Sequence, residues 1–262
     1  MSPSLSGRTP RPKKRLGQHF LKDANTARIV AAGLTERDVV LEIGPGRGFL
    51  TAFLAERAGL VHAVEIDPDV LPELRRAVGA RGNVRIHEAD ALRFDYGALS
   101  PPPNRLAANL PYNIASPLVL RLLEEVPSLE RMRFMMQLEV ALRMTARPGS
   151  KDYGAYAVLI QLLSRPEVAH RVSPRVFDPP PRVRSAVVEL ERRRDAPEDY
   201  RGVKELVAAA FRSRRKRLPN NLPGPLRERA EEALAGLGHG PDARAEELSP
   251  EDFVVLYRRI SP

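Results

Sequence analysis

Apolar and polar positions along the chain fall into two rhythms, and the change between them marks its organisation. From Asp38 onward, short apolar runs alternate with amphipathic stretches. The runs at 39–43, 60–66, 84–87 and 106–110 read as strands, and 49–57, the stretch opened by Pro68, and 115–125 read as helices. An earlier helix is predicted after Asp23 as N-cap, ending near Gly33. Farther on, 133–136, 167–172 and 185–191 read as strands. No helical pattern separates the last two, so they are expected to pair as an antiparallel hairpin. The polar stretch 191–199 reads as a linker, and beyond it the period is only helical: 203–211, 225–235, and a last helix capped by Ser249 with Pro250 in its first turn. Strand–helix alternation of this kind predicts a parallel, doubly wound α/β sheet with its ligand site at the carboxyl ends of the strands. The expected organisation is a Rossmann-like domain over 1–194, with a basic tail to about residue 18, and a small all-helical domain over 195–262.

Composition narrows the partner. The 262 residues carry a net charge of +9, which points to a polyanion. Only six of the 42 basic residues are lysines. Arginine's planar fork suits phosphate. The densest basic run is Arg212, Arg214, Arg215, Lys216 and Arg217, and a second comprises Arg8, Arg11, Lys13, Lys14 and Arg15. Either run can be a phosphate contact or a merely solvated face. The chain has no cysteine, so disulfides, thiolate metal sites and a cysteine nucleophile are excluded together, and no metal is expected. No apolar stretch approaches the ~20 residues of a membrane span, and the basic N-terminus has no apolar segment behind it. A cytoplasmic protein is expected.

Three strand ends carry the candidate chemistry. Gly44, Gly46 and Gly48 follow the first strand, where missing Cβ atoms let the backbone turn sharply and a ligand come close. The next strand ends in Glu65-Ile66-Asp67, placing a carboxylate where ribose hydroxyls are usually held. Glu65 ends the apolar run; Asp67 either joins it or caps the following helix. Asp90, after the third strand, can accept from an adenine amine or sit in an exposed turn. Together these acceptors fit an adenosine-containing cofactor.

Asn109-Leu110-Pro111-Tyr112 closes the fourth strand and specifies a reaction. An exocyclic adenine amine is a poor nucleophile because its lone pair is delocalised into the ring. Two acceptors aimed at its hydrogens, the Asn109 side-chain oxygen and the Leu110 carbonyl fixed by Pro111, would pull the nitrogen toward tetrahedral geometry. Tyr112 offers a face for a flipped base. Methyl transfer from a sulfonium to that nitrogen then needs positioning more than a strong base.

The segments GQHFL (17–21), LEIGPGRGFLT (41–51), VEID (64–67), EADAL (88–92), NLPYNIASPL (109–118), QLEVALRM (137–144), VFDPPPRVRSAVV (176–188) and AFRSRRKRLPNNL (210–222) resemble the bacterial small-subunit ribosomal RNA adenine dimethyltransferases, the KsgA/RsmA family, in order and over nearly the whole chain. The resemblance implies S-adenosyl-L-methionine as methyl donor, held through His19, Leu21, Gly44, Glu65, Asp90 and Asn109 with Gly46 in the same turn. His19 stands where many members have Asn. It further implies that Phe177 and Tyr112 sandwich the target base. The implied substrate is a pair of adjacent adenosines in the 3′-terminal hairpin of 16S rRNA within the immature small subunit, dimethylated at N6 by a monomeric enzyme. Two rivals remain. A DNA adenine methyltransferase would usually have Pro where Leu110 stands and would need a recognition domain for which 195–262 leaves little room. A non-catalytic assembly factor would not need the intact acceptor set.

Overall fold

A computed structural model describes residues 12–240 and 242–261. Its centre is a seven-stranded sheet whose inner strands are buried on both faces, as parallel strands flanked by helices must be. In chain order the elements are β1 (Phe20–Leu21), α1 (Ala24–Val30), β2 (Val39–Ile43), α2 (Phe49–Ala55), β3 (Leu60–Glu65), α3 (Leu71–Val78), β4 (Val84–Glu88), β5 (Arg105–Asn109), α4 (Ala115–Glu125), β6 (Arg131–Gln137), α5 (Leu138–Met144), α6 (Ala155–Leu163), β7 (Ser164–Val172), β8 (Phe177–Asp178), β9 (Ser185–Arg192), α7 (Tyr200–Ala210), α8 (Gly224–Ala235) and α9 (Pro250–Ile260). The sheet order is β4-β3-β2-β5-β6-β9-β7. The first five run parallel, and β9 lies antiparallel between β6 and β7. The order of strands switches sides between β2 and β5, with β3 and β4 laid to one side and β5 and β6 to the other, so a crevice opens at their carboxyl ends.

Alternate residues of each inner strand face opposite layers. Leu41, Ala108, Phe134 and Val188 pack toward α4. Val40, Ala107, Met135 and Val187 pack toward α1 and α2. The predicted pairing of β7 with β9 is present, with Val168 opposite Val188 and Val172 opposite Ser185. Their connection is no tight turn; it carries β8, which pairs with β1 and ties the N-terminal segment to the sheet. Asp23 caps α1 through a 2.7 Å bond from the Thr26 amide, and Ser249 and Asp252 form a capping box at α9.

Two helices and two strands lie outside the sequence expectation, each for a physical reason. α6, AYAVLIQLL, is apolar almost all round because it is buried between the sheet and α7–α9; it therefore lacks an amphipathic period. α5 starts directly from β6, with Gln137 ending the strand and capping the helix, so no turn residue announces it. β1 and β8 are two residues each, too short to show any period. The core of the C-terminal helices includes α6: Tyr153 is fully buried there and donates to the Leu248 carbonyl at 2.9 Å.

The expected linker at 191–199 is corrected. Glu191 and Arg192 belong to β9, and the rest is bolted down. The Arg192 guanidinium donates to the carbonyls of Leu123, Val126 and Leu129, at and beyond the end of α4. Arg193 pairs with Asp195 and with Glu251 of α9, and Asp199 pairs with Arg258. Arg192→Ala should lower unfolding free energy by about 1–3 kcal/mol, because carbonyls that a cation satisfied lose their donor. Urea denaturation would show this as a lower midpoint; an unmoved midpoint would mean that water replaces the guanidinium without cost.

Candidate active site

At the crevice lies a cavity of about 700 Å³, within the size range of small-molecule sites. Segments 16–22, 42–50, 64–66, 89–92 and 109–114 line it. His19, Leu21, Gly44, Gly46, Glu65, Asp90, Asn109, Leu110, Pro111 and Tyr112, expected from the sequence to share a site, all reach this cavity.

The glycine-rich turn after β2 is shaped by contacts that a side chain would destroy. Gly46 has φ +56°, and a Cβ there would sit 2.8 Å from the Phe20 ring; at Gly48, with φ +83°, it would sit 2.8 Å from Ala77. The Gly46 amide donates to Glu65 at 2.9 Å, and the Asp67 amide donates to the other carboxylate oxygen at 2.9 Å. Glu65 is thereby aimed at the end of β3, and burial pushes its carboxyl above the usual range despite those two bonds. Each oxygen keeps a second lone pair. Asp67 does not line the cavity. It accepts from the Asp69 amide as a cap, and from Lys13 and Gln18 at 2.6 and 2.8 Å. Burial alone would raise the Asp67 carboxyl, but the bonds from Lys13 and Gln18 outweigh it and hold it below its ordinary value. Lys13 is thus committed to Asp67 and Asp69, and the segment behind it forms cavity wall. Arg8 and Arg11 of the same basic run lie outside the described residues.

Asn109 ends β5 beside this turn. Its Nδ2 donates to the His19 carbonyl at 2.9 Å, which leaves Oδ1 buried with no hydrogen-bond partner. A carbonyl oxygen can accept only from the amide nitrogen, so the orientation of the Asn109 side chain is set by its neighbour. The Leu110 amide is held by the Met135 carbonyl. Tyr112 shares a 2.5 Å hydrogen bond with Ser185 Oγ and stacks on the His19 ring, centroids 5.5 Å apart at 29°. His19 Nδ1 donates to the Pro179 carbonyl at 2.8 Å. Asp90 Oδ1 accepts from the Leu92 amide, while Oδ2 has only a 4.0 Å contact with Arg93 among the described residues.

Phe177 is a correction. Its ring is fully buried among Leu21, Met135 and Val187, locked there by the β1–β8 pairing, and it does not line the cavity. The aromatic neighbour of Tyr112 is His19. The basic run at 212–217 also divides. Arg214 is spent on Glu246 and on the carbonyls of Lys151 and Tyr153, and Arg217 on Glu231 and Asp242. Arg212, Arg215 and Lys216 are exposed and make no side-chain hydrogen bond or ion pair among the described residues.

Three lining residues escape a reading of the sequence alone. Ile66 and Leu92 are large apolar side chains left 46% and 37% exposed at the ends of β3 and β4, beside the two acids. Glu42 is fully buried within β2, and neither oxygen makes a hydrogen bond of ordinary geometry; the adjacent Thr51 hydroxyl is unsatisfied as well. A signal for it exists: one acid inside the otherwise apolar run Val39–Ile43. Burial foremost, with Glu65 nearby, pushes the Glu42 carboxyl up to about 8. The folded chain therefore retains a proton that the unfolded chain has lost, so this group's contribution to stability falls as pH rises from the ordinary glutamate range to about 8. Glu42→Gln should lose less melting temperature than wild type between about pH 5 and pH 8.5. Parallel curves for the two proteins would contradict the raised value.

Comparison with known proteins gives a consistent family. The model for "Ribosomal RNA adenine dimethylase" matches residues 10–261. A ribosomal RNA small subunit methyltransferase A from Rubrobacter xylanophilus is 99% identical over 262 residues, the whole of both chains. One from Laribacter hongkongensis is 43% identical over 254 residues, 95% of each. Among solved structures, a dimethyladenosine transferase from Plasmodium falciparum superposes with a TM-score of 0.80 at 26% identity, covering 91% of this chain and 96% of its own. The 23S rRNA methyltransferase ErmE does so with 0.71 at 31% identity, covering 93% and 100%. The chain belongs to the ribosomal RNA adenine dimethylase family, and its activity is the dimethylation of adenine in ribosomal RNA.

Proposed function

We propose that the chain takes S-adenosyl-L-methionine as methyl donor and dimethylates N6 of adjacent adenosines in the 3′-terminal hairpin of 16S rRNA, acting as a cytoplasmic monomer on the immature small subunit. The fit to the donor rests on the chain's own geometry. Gly44 and Gly46 leave a cradle that side chains would fill, and Glu65 and Asp90 keep acceptor lone pairs for ribose hydroxyls and an adenine amine. Ile66 and Leu92 supply apolar faces for the adenine ring, and His19 and Leu21 close the wall. When bound, the donor supplies an electrophilic methyl group on a sulfonium.

The observation that carries the reading is Asn109 Oδ1. A buried amide oxygen without a donor is costly, and its persistence at a cavity marks a place where a donor arrives. In this reading Oδ1 accepts one hydrogen of the adenine N6 amine and the Leu110 carbonyl accepts the other, shifting the nitrogen toward tetrahedral geometry. The target base stacks on the Tyr112 face turned away from His19, while Ser185 fixes the Tyr112 hydroxyl. The proton leaves after the bond forms, when the methylated nitrogen is strongly acidic, so a neutral Asn suffices. The helices of 195–262 dock the RNA particle.

Asn109→Ala should cut methyl transfer to undermethylated small subunits by about a hundredfold or more, the scale of losing one aimed polar group. Subunit affinity should hold within a few-fold, because phosphate contacts elsewhere dominate it. Turnover within a few-fold of wild type would remove Asn109 from the chemistry.

The exposed basic residues allow a separate test. Neutralising Arg212, Arg215 and Lys216 together should weaken subunit binding and flatten log affinity against log salt, by roughly 0.7–0.9 in slope for each phosphate no longer neutralised. Cofactor affinity should be unaffected. An unchanged slope would make the run a solvated face and shift the footprint elsewhere.

A further inference from the structure

The connection between β8 and β9 ends in a tip, Arg182-Val183-Arg184, whose three residues are all exposed. Val183 stands 45% exposed, although the residues around the tip, Pro181 and Ser185, are buried. Single exposed apolar residues are common and by themselves mean little. Three further features make this one different.

The mount is rigid. Pro179, Pro180 and Pro181 fix the backbone leading to the tip. The Pro179 carbonyl is bonded to His19, the Arg184 carbonyl accepts from the Leu138 amide at 2.9 Å, and Ser185 opens β9. Val183 is itself β-branched and stiff at χ1. The tip is also close to the site. Val183 is two residues from Ser185, so their Cα atoms are no more than about 7 Å apart. Ser185 Oγ touches the Tyr112 hydroxyl. Finally, the flanking charges are available. Neither Arg182 nor Arg184 makes a side-chain ion pair or hydrogen bond among the described residues, whereas Arg47, Arg133, Arg192 and Arg193 are committed to groups of this chain.

An adenine must leave its stack before N6 can reach Asn109, and extraction costs a few kcal/mol of stacking. Proteins that open a stack insert an apolar side chain into the step and hold the backbone on either side with cations. A stiff apolar tip between two unpaired arginines, mounted beside the proposed stacking ring, has that composition. We propose that Val183 is the wedge that fills the gap left by the flipped adenine, with Arg182 and Arg184 gripping the phosphates beside it. The wedge acts on the strand, Asn109 on the base. This rests on the adenine-N6 reading of the crevice.

The test uses the full chain and small subunits lacking the modification, with labelled S-adenosylmethionine in single-turnover methyl transfer. Val183→Ser should slow transfer at least tenfold. Subunit affinity by filter binding, S-adenosylmethionine affinity by calorimetry and melting temperature should stay near wild type, since the side chain is exposed. Val183→Leu, which keeps an apolar wedge, should recover most of the rate; a purely structural role at an exposed tip predicts no such pattern. Transfer by Val183→Ser within twofold of wild type would overturn the wedge and leave the adenine-N6 reading standing. So would an equal loss in both Val183 variants, or a loss confined to subunit affinity. A wild-type chain that places no methyl on adenine N6 would overturn both.

Discussion

Gly44 lies so close to Pro111 that an added Cβ would sit 3.1 Å from the proline ring, and this approach across the crevice joins two loops distant in sequence into one site. Its cause is the sheet order. β3 and β4 are laid to one side of β2 and β5 to the other, so the turn after β2 and the loop after β5 emerge side by side at the carboxyl edge. Everything that follows depends on that adjacency. The Gly46 amide reaches Glu65 from one flank, and Asn109 reaches the His19 carbonyl from the other. Residues 13–21 are pinned across the crevice by Asp67, Asn109 and the β1–β8 pairing.

Two buried polar groups show where stability yields to function. Asn109 Oδ1 and the Glu42 carboxyl are both removed from water without a hydrogen bond. Other buried polar groups are satisfied within the fold: Asp38 takes bonds from Thr35, Asn104 and Arg105, and Asn221 bonds two carbonyls. Asn109 and Glu42 both line the crevice, and unsatisfied groups at a cavity are where a ligand can complete them. The same contrast separates the arginines. Arg192 and Arg214 build the fold, while Arg212, Arg215, Arg182 and Arg184 face outward with no partner among the described residues.

Much of this is legible in the residues. Largely apolar runs locate β2 and β3 within a residue or two, because strands buried on both faces need no alternation. The acids at the strand ends and the Asn109–Tyr112 tetrad are legible because their chemistry is tied to residue type. What stays hidden is set by packing between distant segments. α6 has no amphipathic stripe to read, since both its faces are covered. Phe177 is set against the target base only by the family resemblance, yet its pairing with β1 turns it into the core and leaves His19 against Tyr112. Arg214 is indistinguishable from Arg215 in sequence; only the approach of Glu246 and the 151–153 segment separates them.

The proposed function is that this crevice delivers a methyl group to the N6 amine of an unstacked adenine in small-subunit rRNA. Its most direct measurement is mass spectrometry of nucleosides from small subunits lacking the modification, after incubation with the purified chain and isotopically labelled S-adenosylmethionine. Label in N6,N6-dimethyladenosine, confined to 16S rRNA, is the predicted result. Label on a ribose hydroxyl, on a ring carbon or on another base would contradict it.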